Sequence, residues 1–234
     1  MATGVIQTGR ARALPPEPIF KRPFDLLVSG AALAITAPLW AGIAIAILLE
    51  DGGPIMFRQL RIGLGGTPFR MLKFRSMIVD PQNVERQARN DDPRVTSVGR
   101  FLRRTGLDEL PQLWNIFLGE MSFVGPRPQP ERERVLVRGV ETDVIVRQVP
   151  GHELRMLVRP GLTGIAQVFA PRVVEHRQKF RYDAVYVRRV LAAARHRTRT
   201  ALGVSVLADL EMATFDLVLI VRSAWISLRG EREV

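Results

Sequence analysis

Leu26-Leu27-Val28-Ser29-Gly30-Ala31-Ala32-Leu33-Ala34-Ile35-Thr36-Ala37-Pro38-Leu39-Trp40 opens an uncharged run that continues to Leu49, 24 residues in all. A membrane span needs about 20 consecutive apolar residues, so this run reads as a membrane helix. It is too long for the apolar core of a cleaved signal peptide, although Ala32-Leu33-Ala34 mimics a cleavage site. Pro38 sits mid-run, where it removes a helix hydrogen bond and favours a kink. Lys21 and Arg22 precede the run, and Arg58, Arg61, Arg70, Lys73 and Arg75 follow it. With positive charge on both flanks, the positive-inside rule gives no orientation. Two topologies stay open on the residues alone: a helix that enters, bends at Pro38 and returns to the same face, or a tilted, kinked span.

Outside this run the chain of 234 residues carries 34 Lys+Arg against 23 Asp+Glu, a formal net charge of +11. Such an excess implies an anionic partner: phosphorylated substrate, anionic membrane face or nucleic acid. Nucleic acid is disfavoured, because the basic residues are dispersed and two tyrosines with three tryptophans offer little base stacking. The absence of cysteine excludes disulfides, thiolate nucleophiles and thiolate metal sites. His152, His176 and His196 are not at metal-ligand spacing, so a divalent metal would be held by oxygen, as Mg²⁺ usually is.

After the apolar run, Ile55–Gln59 and Phe69–Arg75 flank a glycine-rich turn around Gly63-Leu64-Gly65-Gly66 and predict a β-hairpin. Strand alternation places Lys73 and Arg75 on one face, where they could clamp a diphosphate or meet solvent or anionic lipid. No Gly-Lys-Ser/Thr follows the turn, so it is not a P-loop. Residues 79–98 are polar and read as a loop holding Asp91-Asp92-Pro93-Arg94. Arg100, Arg103 and Arg104 then lead into Leu107-Asp108-Glu109-Leu110-Pro111-Gln112-Leu113-Trp114-Asn115.

In that stretch Leu110, Leu113, Trp114 and Phe117 trace one helix face, and Pro111 is compatible with the first turn. Asp108 is then expected at or near the N-cap, with Glu109 just inside. The carboxylate pair has two readings. One is capping with compensation of the helix dipole. The other is a nucleophile beside a metal ligand, with cations holding a phosphate against the helix N-terminus. Downstream, Pro126-Arg127-Pro128 gives a stiff backbone that fixes the direction of a guanidinium suited to phosphate. Residues 129–158 mix charge with Val and Leu at helix-like spacing. Arg159–Gly164 reads as a turn, and 188–199 as a basic, solvated or lipid-facing run. From Leu207 to Leu228, Leu210, Leu217, Val221, Trp225 and Leu228 form a helical stripe, either core-packed or lying on a membrane surface.

The order of these motifs resembles the bacterial sugar transferase family, the monotopic polyprenyl-phosphate phosphoglycosyl transferases. The matching pieces are Lys21-Arg22…Asp25, Ala37-Pro38, Gly53–Gly63, Lys73–Met77, Asp92–Thr96 with Gly99-Arg100, Leu107–Leu113, Met121–Pro128, and Arg159–Gly164 with Gln167-Val168. They cover roughly residues 20–187 and resume near Asp216.

The resemblance implies an α+β fold, mostly helical with a small β-hairpin, anchored as a monotopic membrane protein by a re-entrant helix broken at Pro38. It implies a mobile tail (1–19), the membrane helix (20–50), a cytoplasmic catalytic domain (51–187) and a basic insertion with a C-terminal amphipathic helix (188–234). The implied reaction moves a sugar-1-phosphate from a nucleotide sugar, usually a uridine diphosphate sugar, to polyprenyl phosphate at the cytoplasmic face of the inner membrane. It would initiate polysaccharide or glycoconjugate assembly. Asp108 would be the nucleophile forming a covalent phosphosugar, and Glu109 a Mg²⁺ ligand. Lys73, Arg75, Arg103 and Arg127 would be phosphate contacts, with Asp92 and Arg94 ordering the site. The expected partners are the sugar donor, the polyprenyl phosphate acceptor and membrane lipid, with a homodimer also allowed.

The chain departs from the family pattern at Ala37, where many members have Ser, and at Phe169-Ala170, where Asn-Gly is common. Residues 189–211 look inserted, and the chain reads as the minimal catalytic unit. The contrasting expectation is a non-catalytic membrane adaptor, in which the carboxylates only cap and the cations only hold lipid or pathway proteins.

Overall fold

The computed structural model describes residues 14–79, 92–137, 140–171, 176–199 and 202–229. The apolar run forms helix α1, Lys21–Asp51, helical on both sides of Pro38. By length and composition it could cross a membrane. One face packs on the rest of the protein. Ala32 and Leu33 meet Phe69, Met71, Leu113 and Ile116, while Trp40, Ile43 and Ile47 meet Phe74 and Leu102. The other face leaves Leu27, Ile35 and Leu49 72%, 78% and 82% exposed. Apolar exposure of that extent suits lipid rather than water.

The predicted hairpin is present: β1 (Met56–Ile62) pairs antiparallel with β2 (Pro68–Phe74), in register from Met56↔Phe74 to Ile62↔Pro68. Gly65 and Gly66 take φ of 65° and 82° in the turn, a backbone region open to glycine at little cost. Helix α2, Ser97–Thr105, follows the segment 80–91, which lies outside the described residues. A 3₁₀ turn, Leu107–Glu109, leads to α3, Gln112–Leu118. Next come β3 (Ser122–Val124), β4 (Arg132–Val137), β5 (Val140–Ile145), α4 (His152–Arg155), β6 (Gly161–Thr163) and α5 (Ile165–Phe169). The long helices α6 (His176–Arg199) and α7 (Leu202–Leu228) close the chain. The expected α+β class therefore holds, with three two-stranded sheets among the described residues: β1–β2, β4–β5 and a parallel β3–β6.

Four expectations change. The helix-like spacing read over 129–158 yields the β4–β5 hairpin before the short α4, because Val135, Val137, Val140 and Val144 are β-branched and favour pleated strands. Of the 1–19 tail, residues 1–13 lie outside the described residues, but Glu17 is docked as an ion pair with Arg159. Within the basic run 188–199, Val190, Ala193 and Ala194 are buried in α6 while Arg188, Arg189 and Arg195 are exposed, so one face of it belongs to the core and the other is solvated or lipid-facing.

Of the two readings of the α7 stripe, the core-packed one fails. Leu210, Leu217, Val221 and Trp225 face outward, while Asp209, Met212, Asp216 and Leu219 face inward. The inward acids have a cause at Asp216. Its carboxylate meets Lys21 Nζ at 2.8 Å, and that ammonium also donates to the Tyr186 hydroxyl (2.8 Å) and the Val124 carbonyl (2.9 Å). Around this cluster Tyr186, Val187 and Val190 of α6 pack on Met212 and Leu219 of α7.

Candidate active site

The acid pair is placed by three neighbouring elements. Helix α2 ends at Gly106, whose left-handed φ of 72° turns the chain into the Leu107–Glu109 turn. Asp108 is therefore not an N-cap. The residue capping α3 is Pro111, and no side chain bonds there. Asp108 is buried and accepts no hydrogen bond from a described residue; its nearest described cation is Lys73, at 4.0 Å. The N-cap expected of Asp108 is therefore absent.

Glu109 is differently held. Its Oε1 accepts from Lys73 Nζ at 2.9 Å and from Arg127 Nη2 at 2.8 Å. Burial pushes Glu109 up, but the Arg127 and Lys73 charges and their hydrogen bonds outweigh it and hold its carboxyl well below the usual range. For Asp108 burial dominates and the Glu109 charge adds to it. Together they raise its pKa against the opposing pull of Lys73, Arg103 and Arg127. Adjacent carboxyls pushed in opposite directions can divide roles: one fixed as an anion among cations, the other unbonded and available to react.

The remaining predicted residues fall in different places. Arg103, in the last turn of α2, adds its charge to Asp108's surroundings, and its Nη1 is buried without a partner. Arg75 does not join the pair. Strand β2 ends at Phe74, and the Arg75 guanidinium turns to Asp51 and to the Gly52 and Gly53 carbonyls, just past the end of α1. Asp92 and Arg94 pair with each other at 2.7 Å in the turn leading into α2. Pro38 lies inside α1, away from these contacts.

Sequence reasoning missed the residues that align the elements. Asn115 of α3 accepts from the Leu72 backbone N–H (3.0 Å) and donates to the Arg70 carbonyl (2.9 Å), which fixes α3 against the strand carrying Lys73. The two ends of α1 supply caps. Arg22 donates to the Ile116 and Phe117 carbonyls at the end of α3, each at 2.8 Å. Glu50 accepts from Ser97 N (2.6 Å) and Val98 N (3.1 Å) at the start of α2. Both are charge–dipole matches of the kind expected at helix ends. An isolated Asn, Arg or Glu carries no sequence signal of such distant contacts.

An apolar helix of membrane-crossing length packs on a small α+β domain that carries a carboxylate pair flanked by Lys73, Arg103 and Arg127. The family follows from comparison: residues 16–197 match the profile of the bacterial sugar transferases, and the chain belongs to that family. It is 39% identical over 176 residues to a UDP-glucose:undecaprenyl-phosphate glucose-1-phosphate transferase of Klebsiella pneumoniae, covering 73% of this chain and 36% of that protein. It is 45% identical over 150 residues to the Caulobacter vibrioides protein of the same description, covering 63% and 53%. It is 39% identical over 183 residues to a UDP-N-acetylgalactosamine-undecaprenyl-phosphate N-acetylgalactosaminephosphotransferase of Aeromonas hydrophila, covering 75% and 41%. The chain thus spans 36% to 53% of the length of these relatives.

Proposed function

We propose that this chain transfers a sugar-1-phosphate from a uridine diphosphate sugar to undecaprenyl phosphate through a phosphosugar carried on Asp108. An Asp108 oxygen attacks the phosphorus bearing the sugar. The bond to the bridging oxygen breaks, and uridine monophosphate leaves with that electron pair. An oxygen of the polyprenyl phosphate then attacks the same phosphorus, the bond to Asp108 breaks, and the carboxylate is restored. Carboxylates serve as phosphoryl acceptors, and the protein's main contribution in such reactions is positioning with charge neutralisation. Lys73, Arg127 and Arg103 take that second task.

The observation that carries this reading is the unequal pair: an unbonded Asp108 beside a Glu109 held by two cations. An adaptor that used these acids only as caps would leave that inequality without a purpose.

Among the described residues no three His, Cys, Asp or Glu side chains gather into a metal cage. Mg²⁺ is commonly held by one or two carboxylates, water and substrate phosphates. Glu109 would hold it, leaving Asp108 free to attack, and when bound it would neutralise charge on the donor's diphosphate.

The membrane reading is monotopic, with α1 entering and leaving on the cytoplasmic face of the inner membrane. Its support is that one domain holds both ends of α1, Lys21 and Arg22 at the start and Glu50 and Asp51 at the finish.

The test is uridine monophosphate release by the full chain in lipid nanodiscs with Mg²⁺, undecaprenyl phosphate and a panel of uridine diphosphate sugars. Release with one sugar, reduced about a thousandfold or more in Asp108→Asn, is the expected result. Release undiminished in that variant would sink the assigned nucleophile, and none with any donor would sink the reaction.

A further inference from the structure

Arg127 reaches Glu109 from a loop whose backbone carbonyls are all engaged. The Pro126 carbonyl accepts from Gly161 N at 2.9 Å, and the Gln129 carbonyl from Ile62 N at 2.9 Å. The two between them accept from side chains: Pro128 from Arg61 Nη1 at 3.3 Å, and Arg127 from Arg155 Nη2 at 2.5 Å. Pro128 has no N–H, so the carbonyl is the only polar handle on the Arg127–Pro128 peptide. Holding it fixes the rotation about the Arg127 Cα–C bond, and with it the direction in which the side chain leaves the backbone.

The holder is itself expensive. Arg155 and Asp183 of α6 pair at 2.8 Å, with side chains only 6% and 3% exposed, and the Arg155 guanidinium lies 4.1 Å from the Phe180 ring centre. A buried ion pair of this kind adds little stability over apolar residues of similar size. Its planar fork does what an apolar pair could not: one edge is fixed by Asp183 while another nitrogen reaches the Arg127 carbonyl.

We infer that Arg155 and Asp183 are positioning residues that act through the Arg127 backbone, aiming its guanidinium at Glu109 and the donor phosphates. The catalytic part of this inference rests on the proposed transfer reaction; the anchoring of the loop does not.

The test uses the full chain in nanodiscs and replaces the pair together, Arg155→Met with Asp183→Leu, so that no lone charge is left buried. Because the chain has no cysteine, a nitroxide on Arg127→Cys reports the loop alone. The expected results are an unchanged melting temperature, a narrowed nitroxide line, and uridine monophosphate release reduced roughly 10- to 100-fold in kcat. In an Arg127→Ala background the same swap should cost less than about twofold, since its effect would already be spent. A nitroxide line unmoved by the swap overturns the anchoring. Full activity, or a loss that multiplies with Arg127→Ala, overturns the action through Arg127. If the swap fails to fold, Arg155→Lys, which keeps the Asp183 partner but gives up the fork, is held to the same outcomes. If the unaltered chain releases no nucleotide with any donor, the transfer reading fails, and the nitroxide line still decides the anchoring.

Discussion

Lys21 and Asp216 meet at 2.8 Å across 195 residues of sequence, joining the first turn of α1 to the middle of α7. The ammonium is buried, and Asp216 is the acid that hydrogen-bonds it. Asp216→Asn leaves that charge buried without its counter-charge, a loss expected to cost about 3–5 kcal/mol. Thermal melting in detergent should show a large drop. The paired change Lys21→Met with Asp216→Leu should recover most of it. A melting temperature for Asp216→Asn equal to the unaltered protein would mean the pair does not hold the helix.

In the proposed transfer Asp108 would have to be ionised to attack, so activity should rise with pH as its carboxyl loses a proton. Burial and the Glu109 charge raise that pKa, and Lys73 opposes them. The acid limb of the pH–rate profile should therefore lie above the ordinary aspartate range, near 3.9. Lys73→Met should move the limb to still higher pH and lower the plateau. A limb that stays put or moves down in Lys73→Met would remove Asp108 from the assignment.

His152 is buried with neither ring nitrogen hydrogen-bonded, and burial, aided by the Arg155 and Arg147 charges, pushes its pKa from 6.5 down to about 4. The unfolded chain then binds a proton that the folded one refuses between those values. Stability from this residue is intact above pH 6.5 and is lost as pH falls towards 4. His152→Phe should flatten the dependence of the melting temperature on pH across that window. A slope there equal to the unaltered protein's would show that another group sets it.

The monotopic reading makes a topological prediction. Single cysteines can be read without background, since the chain has none. Leu14 and Leu60, on opposite sides of α1 in sequence, are 43% and 62% exposed. In intact spheroplasts, Leu14→Cys and Leu60→Cys should both escape a membrane-impermeant thiol reagent and both react after lysis. Labelling of only one before lysis would mean that α1 spans, and labelling of both would place the domain on the outer face.

Much of the site could be read from the chain because its key residues sit in short, local patterns. The hairpin announced itself through two strand-like runs about glycines, and the carboxylates stood between a basic stretch and an apolar helix face. What failed was finer or more distant. Asp108 missed the N-cap because Gly106 reverses the chain one turn earlier. Arg75 lies one residue past the end of β2, and its side chain is captured by the end of α1 while Lys73 turns to Glu109. On α7 periodicity picks out a stripe but does not say which face looks inward, which is why two readings of it stay open on the sequence. Pairing with Lys21 draws Asp216 into the interior and turns Leu217 and Val221 outward. Arg155 and Asp183, like Lys21 and Asp216, are joined by tertiary folding that no local spacing records.

Arg22 and Glu50, the caps at the two ends of α1, bear on how the proposed transfer would meet a lipid-borne acceptor. Glu50 steadies the helix that ends just before the acid pair, and Arg22 steadies the one that begins just after it. Both caps thus tie α1 to the elements on either side of the acid pair. Under the proposed transfer, the depth at which the apolar run settles would set the height of Asp108 above the headgroups. The bilayer would then act as a ruler: a thinner or thicker membrane would shift the phosphosugar on Asp108 relative to the lipid-borne phosphate that has to reach it.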